Sequence, residues 1–121
     1  MDTSIKEKVS KAVTKLSGEE REIPFSESDL VELAFTCDMK AQELGELYAL
    51  FITSLNRNEK GQVQLAELRD ELVRRRNIPV DDETMKKWMG YEEVLSKWKT
   101  GEAEVKWVGF EEFAKFAAGK L

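Results

Sequence analysis

The side chains of this chain that are best suited to chemistry are carboxylates, in the adjacent pairs Glu19–Glu20 and Glu111–Glu112. Paired carboxylates can act as general acid and general base when they flank a reacting group. Neither pair is accompanied by a nucleophile system or a phosphate-binding loop. The sequence also contains no histidine, which removes Ser-His-Asp and Cys-His centres. The pairs are therefore interpreted as solvated surface, and no enzymatic activity is expected.

Further glutamates recur within a five-residue pattern. A β-branched residue is followed two positions later by Phe or Leu, and after two more positions by Glu, at 23–27, 63–67 and 108–112. Each copy lies between two segments in which apolar residues recur at the spacing of an α-helix. The sequence thus predicts a helix–loop–helix unit that is repeated along the chain.

The second copy resembles the calcium loop of the EF-hand, calmodulin-like family. Starting at Asn56, the chain reads NRNEKGQVQLAE against the family pattern D-x-[DN]-x-[DN]-G-x-[IV]-x-x-x-E. The resemblance implies that Asn56, Asn58 and Lys60 stand at the first, third and fifth ligand positions. It also implies that Gly61 makes the turn and that Glu67 is the closing ligand.

The other two copies resemble the family less completely. In the third copy, Val108, Phe110 and Glu112 fit the second half of the family loop, but glycine and apolar residues stand at the earlier ligand positions. The first copy fits only as a vestigial hand. The resemblance covers residues 44–117 with fair specificity and residues 5–38 only weakly.

The second loop is a poor calcium site by its charges. Calcium takes several oxygen ligands, and its affinity follows the number of carboxylates among them. Lys60 places an ammonium at a ligand position, and the loop's four charges, from Arg57, Glu59, Lys60 and Glu67, cancel. A cation beside that ammonium would meet repulsion of several kcal/mol at short range. No metal and no cofactor is therefore expected. Any residual divalent-ion site would use Asn56, Asn58, Gln62 and Glu67.

Apolar residues at helical spacing occur through most of the chain, so the predicted fold class is all-α. We expect an EF-hand-like pair of helix–loop–helix units with a short two-stranded contact between Val63 and Val108, plus N-terminal helices. Residues 1–38 are assigned to those helices, which could form a vestigial hand, and residues 39–121 to a degenerate EF-hand pair. The whole chain is expected to form a single compact domain. Gly45 is expected to weaken its helix slightly.

Composition sets the broad class. The chain has 121 residues, of which 41% are hydrophobic and 36% charged, which favours a soluble globular protein over a disordered one. Its net charge of −5 gives no electrostatic case for nucleic acid, and no apolar stretch is long enough to span a membrane. A single cysteine, Cys37, fits a reducing compartment. The expectation is a cytoplasmic monomer.

The family resemblance also implies a function. Calmodulin-like lobes hold an amphipathic helix of a partner protein in an apolar groove, so a metal-free member would be a non-enzymatic protein-interaction adaptor. The N-terminal helix, residues 5–16, is expected to fill that groove in the free protein. The expected groove residues are Phe51, Leu72, Met85, Trp88, Met89 and Phe113.

Two alternatives stay open. One is a weak Ca²⁺/Mg²⁺ sensor or buffer. The other is a cytoskeletal, tubulin-associated helical protein resembling the tubulin-polymerisation-promoting kind, in which the run Arg74–Arg76 would contact acidic tubulin tails. Cations at a helix C-terminus are also favoured by the helix dipole, so the run is interpreted first as a solvated helix end.

Overall fold

The computed structural model describes residues 4–53, 57–98, 101 and 105–120. These ranges contain six α-helices and one pair of two-residue strands, which confirms the predicted all-α fold with a short strand contact. None of these helices is both long and apolar enough to cross a membrane. In chain order the elements are α1 (Ile5–Ser17), α2 (Glu27–Cys37), α3 (Ala41–Ile52), β1 (Val63–Gln64), α4 (Leu65–Arg74), a 3-10 turn (Arg75–Asn77), α5 (Asp82–Ser96), β2 (Trp107–Val108) and α6 (Phe110–Ala117).

The chain forms two compact units, Met1–Thr53 and Ser54–Leu121. The first contains α1, α2 and α3, and the second contains the remaining elements. The sequence-based division differs by one helix, because it grouped residues 39–53 with the second half of the chain. In the structure α3 packs against α1, which makes it part of the first unit.

Helices α1 and α3 approach closely because Gly45 has no side chain where they meet. A Cβ atom at Gly45 would lie 2.5 Å from the Cβ of Ala12 and 2.6 Å from the carbonyl oxygen of Val9. Val9 and Val13 of α1 and Leu44 of α3 are almost fully buried. The glycine that was expected to weaken α3 therefore permits the tight packing of the first unit.

The start of α1 is capped by a side chain from α2. The two carboxylate oxygens of Glu27 accept the backbone N–H groups of Ile5 and Lys6, at 2.8 and 2.9 Å. The Oγ of Ser4 accepts a third N–H group, from Glu7, at 3.1 Å. These groups have no partner within a helix, and a negative charge there also complements the helix dipole. Glu27, the glutamate of the first repeat, thus fastens α2 to α1.

The second unit is built around the predicted strand contact. Val63 lies opposite Val108 and Gln64 opposite Trp107 in an antiparallel pair, and both valines are fully buried. Helix α5 packs against both α4 and α6. The other buried hydrophobic residues of this unit are Leu65, Leu68, Leu72, Trp88, Leu95, Phe110, Phe113, Ala114, Phe116 and Ala117.

Candidate functional site

The loop that resembles a calcium site is closed by the side chain of Asn58. Its Oδ1 accepts two backbone N–H groups, from Lys60 at 3.0 Å and from Gln62 at 2.9 Å. Its Nδ2 donates to the Oε1 of Gln62 at 2.9 Å. This is the local hydrogen bonding by which asparagine stabilises turns. The oxygen that the resemblance assigns to a cation is thus hydrogen-bonded to the loop itself.

The backbone of this loop keeps the sharp turn that the resemblance requires. Gly61 has a φ of +75°, a left-handed conformation that glycine adopts without steric cost. Its N–H donates to the carbonyl of Asn58 at 2.9 Å, and the N–H of Asn58 donates to the carbonyl of Gln62 at 3.0 Å. Arg57 and Val63 form a β-bridge at the base of the turn. These backbone hydrogen bonds hold the described part of the turn, from Arg57 to Val63.

Of the other predicted ligand residues, the structure describes Lys60, Gln62 and Glu67. Asn56 lies outside the described residues. Gln62 is partly buried through its contact with Asn58, and Glu67 is partly buried in the first turn of α4. The Lys60 side chain is exposed, and only its backbone N–H helps to close the loop. No cluster of three or more Asp, Glu, Cys or His side chains suited to a metal occurs among the described residues.

The third repeat meets the loop through the strand pair. The N–H of Leu65 donates to the carbonyl of Lys106 at 3.0 Å, which extends the contact between the strands. The Lys106 ammonium lies 3.2 Å from the carboxylate of Glu112, the glutamate of this repeat, and 5.6 Å from the ring of Phe116. The glutamates of the first and third repeats thus both bind protein groups: Glu27 binds backbone N–H groups of α1, and Glu112 binds the ammonium of Lys106.

The three arginines after α4 are paired within the second unit. Arg74 and Arg75 both bind the carboxylate of Glu71, the latter through a hydrogen bond of 2.9 Å. Arg76 binds Glu92 of α5 through two hydrogen bonds, of which the Nε–Oε2 bond is 3.0 Å. Arg74 and Arg76 are 67% and 53% exposed, as expected for a solvated helix end, while Arg75 is buried and Arg76 connects this end of α4 to α5.

Arg75 is the buried member of this run. Its side chain is 9% exposed, as is that of Glu71, and its guanidinium carbon lies 5.5 Å from the ring centroid of Trp88. Burial lowers the pKa of the Arg75 guanidinium from its ordinary value, and the neighbouring charge of Arg74 lowers it further. An ion pair and a cation–π contact together place this charge in the core.

The six predicted groove residues have different exposures. Phe51 is buried in the first unit, and Leu72, Trp88 and Phe113 are buried in the second. Met85 is half-buried, and Met89 is 55% exposed. The groove therefore stays a prediction, and it requires a conformation that uncovers the four buried side chains.

An apolar surface that the sequence analysis missed lies on α2. Val31 and Phe35 are 50% and 88% exposed, and they line a shallow surface depression together with Ser26, Glu27, Ser28 and Glu32. The signal was present in the sequence, since residues four apart share a helix face. The stripe of Leu30, Leu33 and Cys37 already supplies α2 with a buried face, and Val31 and Phe35 fall on the opposite side.

The chain matches no protein-family model, and comparisons with curated proteins and with solved structures give no match.

Proposed function

We propose that this protein is a non-enzymatic, calmodulin-like adaptor that binds a protein partner without using calcium. The observation that carries the proposal is the pair of hydrogen bonds from the backbone of Lys60 and Gln62 to the Oδ1 of Asn58. A cation would have to compete with both donors for this oxygen. Hydrogen bonds between protein groups join Asn58 to Lys60 and Gln62, which supports a loop whose shape does not depend on an ion.

The glutamates of the repeat support the calcium-independent part of the proposal. The glutamates of the first and third repeats contact the N-terminus of α1 and the ammonium of Lys106. In a calcium-dependent hand the closing glutamate couples the ion to the following helix. Here Glu27 caps the N-terminus of α1 and Glu112 pairs with Lys106, which suits a constitutive scaffold better than a calcium switch.

The cytoskeletal alternative receives no support from the arginine run. Its feature is the basic run Arg74–Arg76, whose guanidinium groups pair with Glu71 and Glu92 of the second unit while Arg74 and Arg76 stay more than half exposed. These contacts do not point to a tubulin tail.

The proposal is tested by affinity purification of the tagged chain from cell extract, in parallel with calcium and with EGTA, followed by mass spectrometry. An adaptor of this kind should retain the same partner at the same stoichiometry in both buffers. A partner retained only with calcium would indicate the sensor alternative instead. Absence of any stoichiometric partner in either buffer would contradict the adaptor.

A further inference from the structure

Helix α2 has two apolar faces, and only one of them is covered. Leu30, Leu33 and Cys37 are 6% exposed or less and face the core of the first unit. Val31 and Phe35 lie one turn apart on the other side, and Phe35 is 88% exposed. A surface helix ordinarily presents polar residues to solvent. A phenylalanine exposed to this extent is a feature of binding surfaces, where aromatic anchors contribute much of the affinity.

The shape of this surface fits a macromolecule better than a small ligand. Small-molecule sites enclose most of the ligand surface, whereas the depression beside Phe35 is open to solvent and is lined by a single helix with its N-cap residue. A ridge of side chains on a second helix can pack into such a surface.

Charge selects the kind of partner. Residues 19–32, which include the first half of α2, contain six acidic residues and one basic residue. The first unit contains eleven acidic and six basic residues, whereas the second contains thirteen of each, so the first unit carries the whole net charge of −5. Such a field disfavours a second copy of the same face, an anionic membrane and nucleic acid. It favours a cationic partner.

We propose that the outer face of α2, formed by Val31, Glu32 and Phe35, docks a cationic amphipathic helix of a partner protein. Phe35 and Val31 would contact the apolar side of that helix, and Glu32 with the neighbouring Asp29 would face its Lys or Arg residues. This inference rests on the proposed adaptor function and adds to it the surface and the chemistry of the partner.

A direct test uses the full chain and three labelled peptides of about 18 residues, long enough to form a helix. The first contains Leu and Lys spaced to form an amphipathic helix, the second has Glu in place of Lys, and the third has the first composition in an order without an apolar face. Fluorescence anisotropy should show binding of the first peptide only. Raising the salt concentration from about 50 to about 300 mM should weaken that binding, because it screens exposed charges.

Substitutions locate the peptide on the chain. F35S should raise the Kd of the first peptide at least about tenfold, as expected for an aromatic anchor, and E32K should raise it about three- to tenfold. V105S is the matched control. Val105 is also an exposed apolar side chain, at 56% exposure, but it lies in the second unit. V105S should leave the Kd unchanged. Each variant is first checked for an unchanged melting temperature.

The outcomes separate the docking surface from the adaptor function. Unchanged peptide binding by F35S would overturn the proposed surface, as would equal binding of the acidic peptide. Loss of binding in M89S but not in F35S would place the peptide in the predicted groove. A cellular partner that is retained by F35S as well as by the unaltered chain would leave the adaptor intact and the α2 surface wrong.

Discussion

Asn58 and Gln62 are joined by two hydrogen bonds in opposite directions, each 2.9 Å long. The backbone N–H of Gln62 donates to the side-chain oxygen of Asn58, and the side-chain amide of Asn58 donates to the side-chain oxygen of Gln62. The amide of Asn58 makes both bonds, whereas a carboxylate at this position would lack the donor for the second. The pair explains how a loop with the outline of a cation site can be stable without one.

Replacing Asn58 with alanine should destabilise the second unit by about 1–3 kcal/mol, because two backbone N–H groups lose their acceptor. Urea unfolding followed by tryptophan fluorescence is the appropriate measurement, since all three tryptophans lie in residues 54–121. Lys60→Ala is the control and should have little effect, because the exposed Lys60 contributes its backbone N–H. Equal stability of the two variants would show that Asn58 does not hold the loop.

Converting Asn56, Asn58 and Lys60 to aspartate should create a calcium site. The change takes the charge of the loop from zero to −4 and supplies carboxylates at three ligand positions. Calorimetry should detect calcium binding by this variant, with far higher affinity than by the parent. Asn58→Asp alone should lower stability without calcium, since the bond to Gln62 is lost. No binding heat from the triple variant would mean that the loop does not have the EF-hand backbone.

Gly45→Ala should destabilise the first unit by about 1–3 kcal/mol through overpacking. The added methyl group would meet Ala12 and the carbonyl of Val9 at distances below van der Waals contact. Gly90→Ala is the matched control, because Gly90 is also inside a helix but has open space around it. That variant should gain about 0.5–1 kcal/mol. Circular dichroism at 222 nm during thermal unfolding follows both, and a gain in both would contradict close packing of α1 on α3.

Glu27→Gln should loosen the start of α1 by about 0.3–1 kcal/mol, because the charge at the helix N-terminus is removed. Hydrogen exchange of the Ile5 and Lys6 amides measures this directly, and both should exchange faster. Glu20→Gln removes an equivalent charge from the loop between α1 and α2 and should leave these amides unchanged. Identical exchange in the two variants would show that Glu27 does not cap α1.

The strand contact was predictable from the sequence, whereas the role of the loop side chains was not. Val63 and Val108 occupy the same position in two copies of the repeat, and the EF-hand resemblance implies that these positions pair, as they do in the structure. Asparagine at position 58 suits both a cation ligand and a turn-closing amide, and the sequence alone does not distinguish the two uses.

Packing partners explain the other differences between sequence and structure. Gly45 permits close packing against Val9 and Ala12, which lie more than 30 residues away in the sequence. Helix propensity is a local property and contains no information about such partners. The exposure of Phe35 depends on which face of α2 meets the first unit. Because α2 carries apolar residues on two faces, its sequence does not determine which face is buried.

The measurement that tests the central claim most directly is the melting temperature of the second unit, monitored by tryptophan fluorescence in about 1 mM calcium and, separately, in EDTA. A calcium concentration of about 1 mM is where a weak site would begin to fill. A ligand with a Kd of about 10 mM stabilises the folded state by less than about 0.1 kcal/mol at that concentration. The account therefore predicts melting temperatures that agree within about 1 °C. A rise of several degrees with calcium that EDTA abolishes would contradict it.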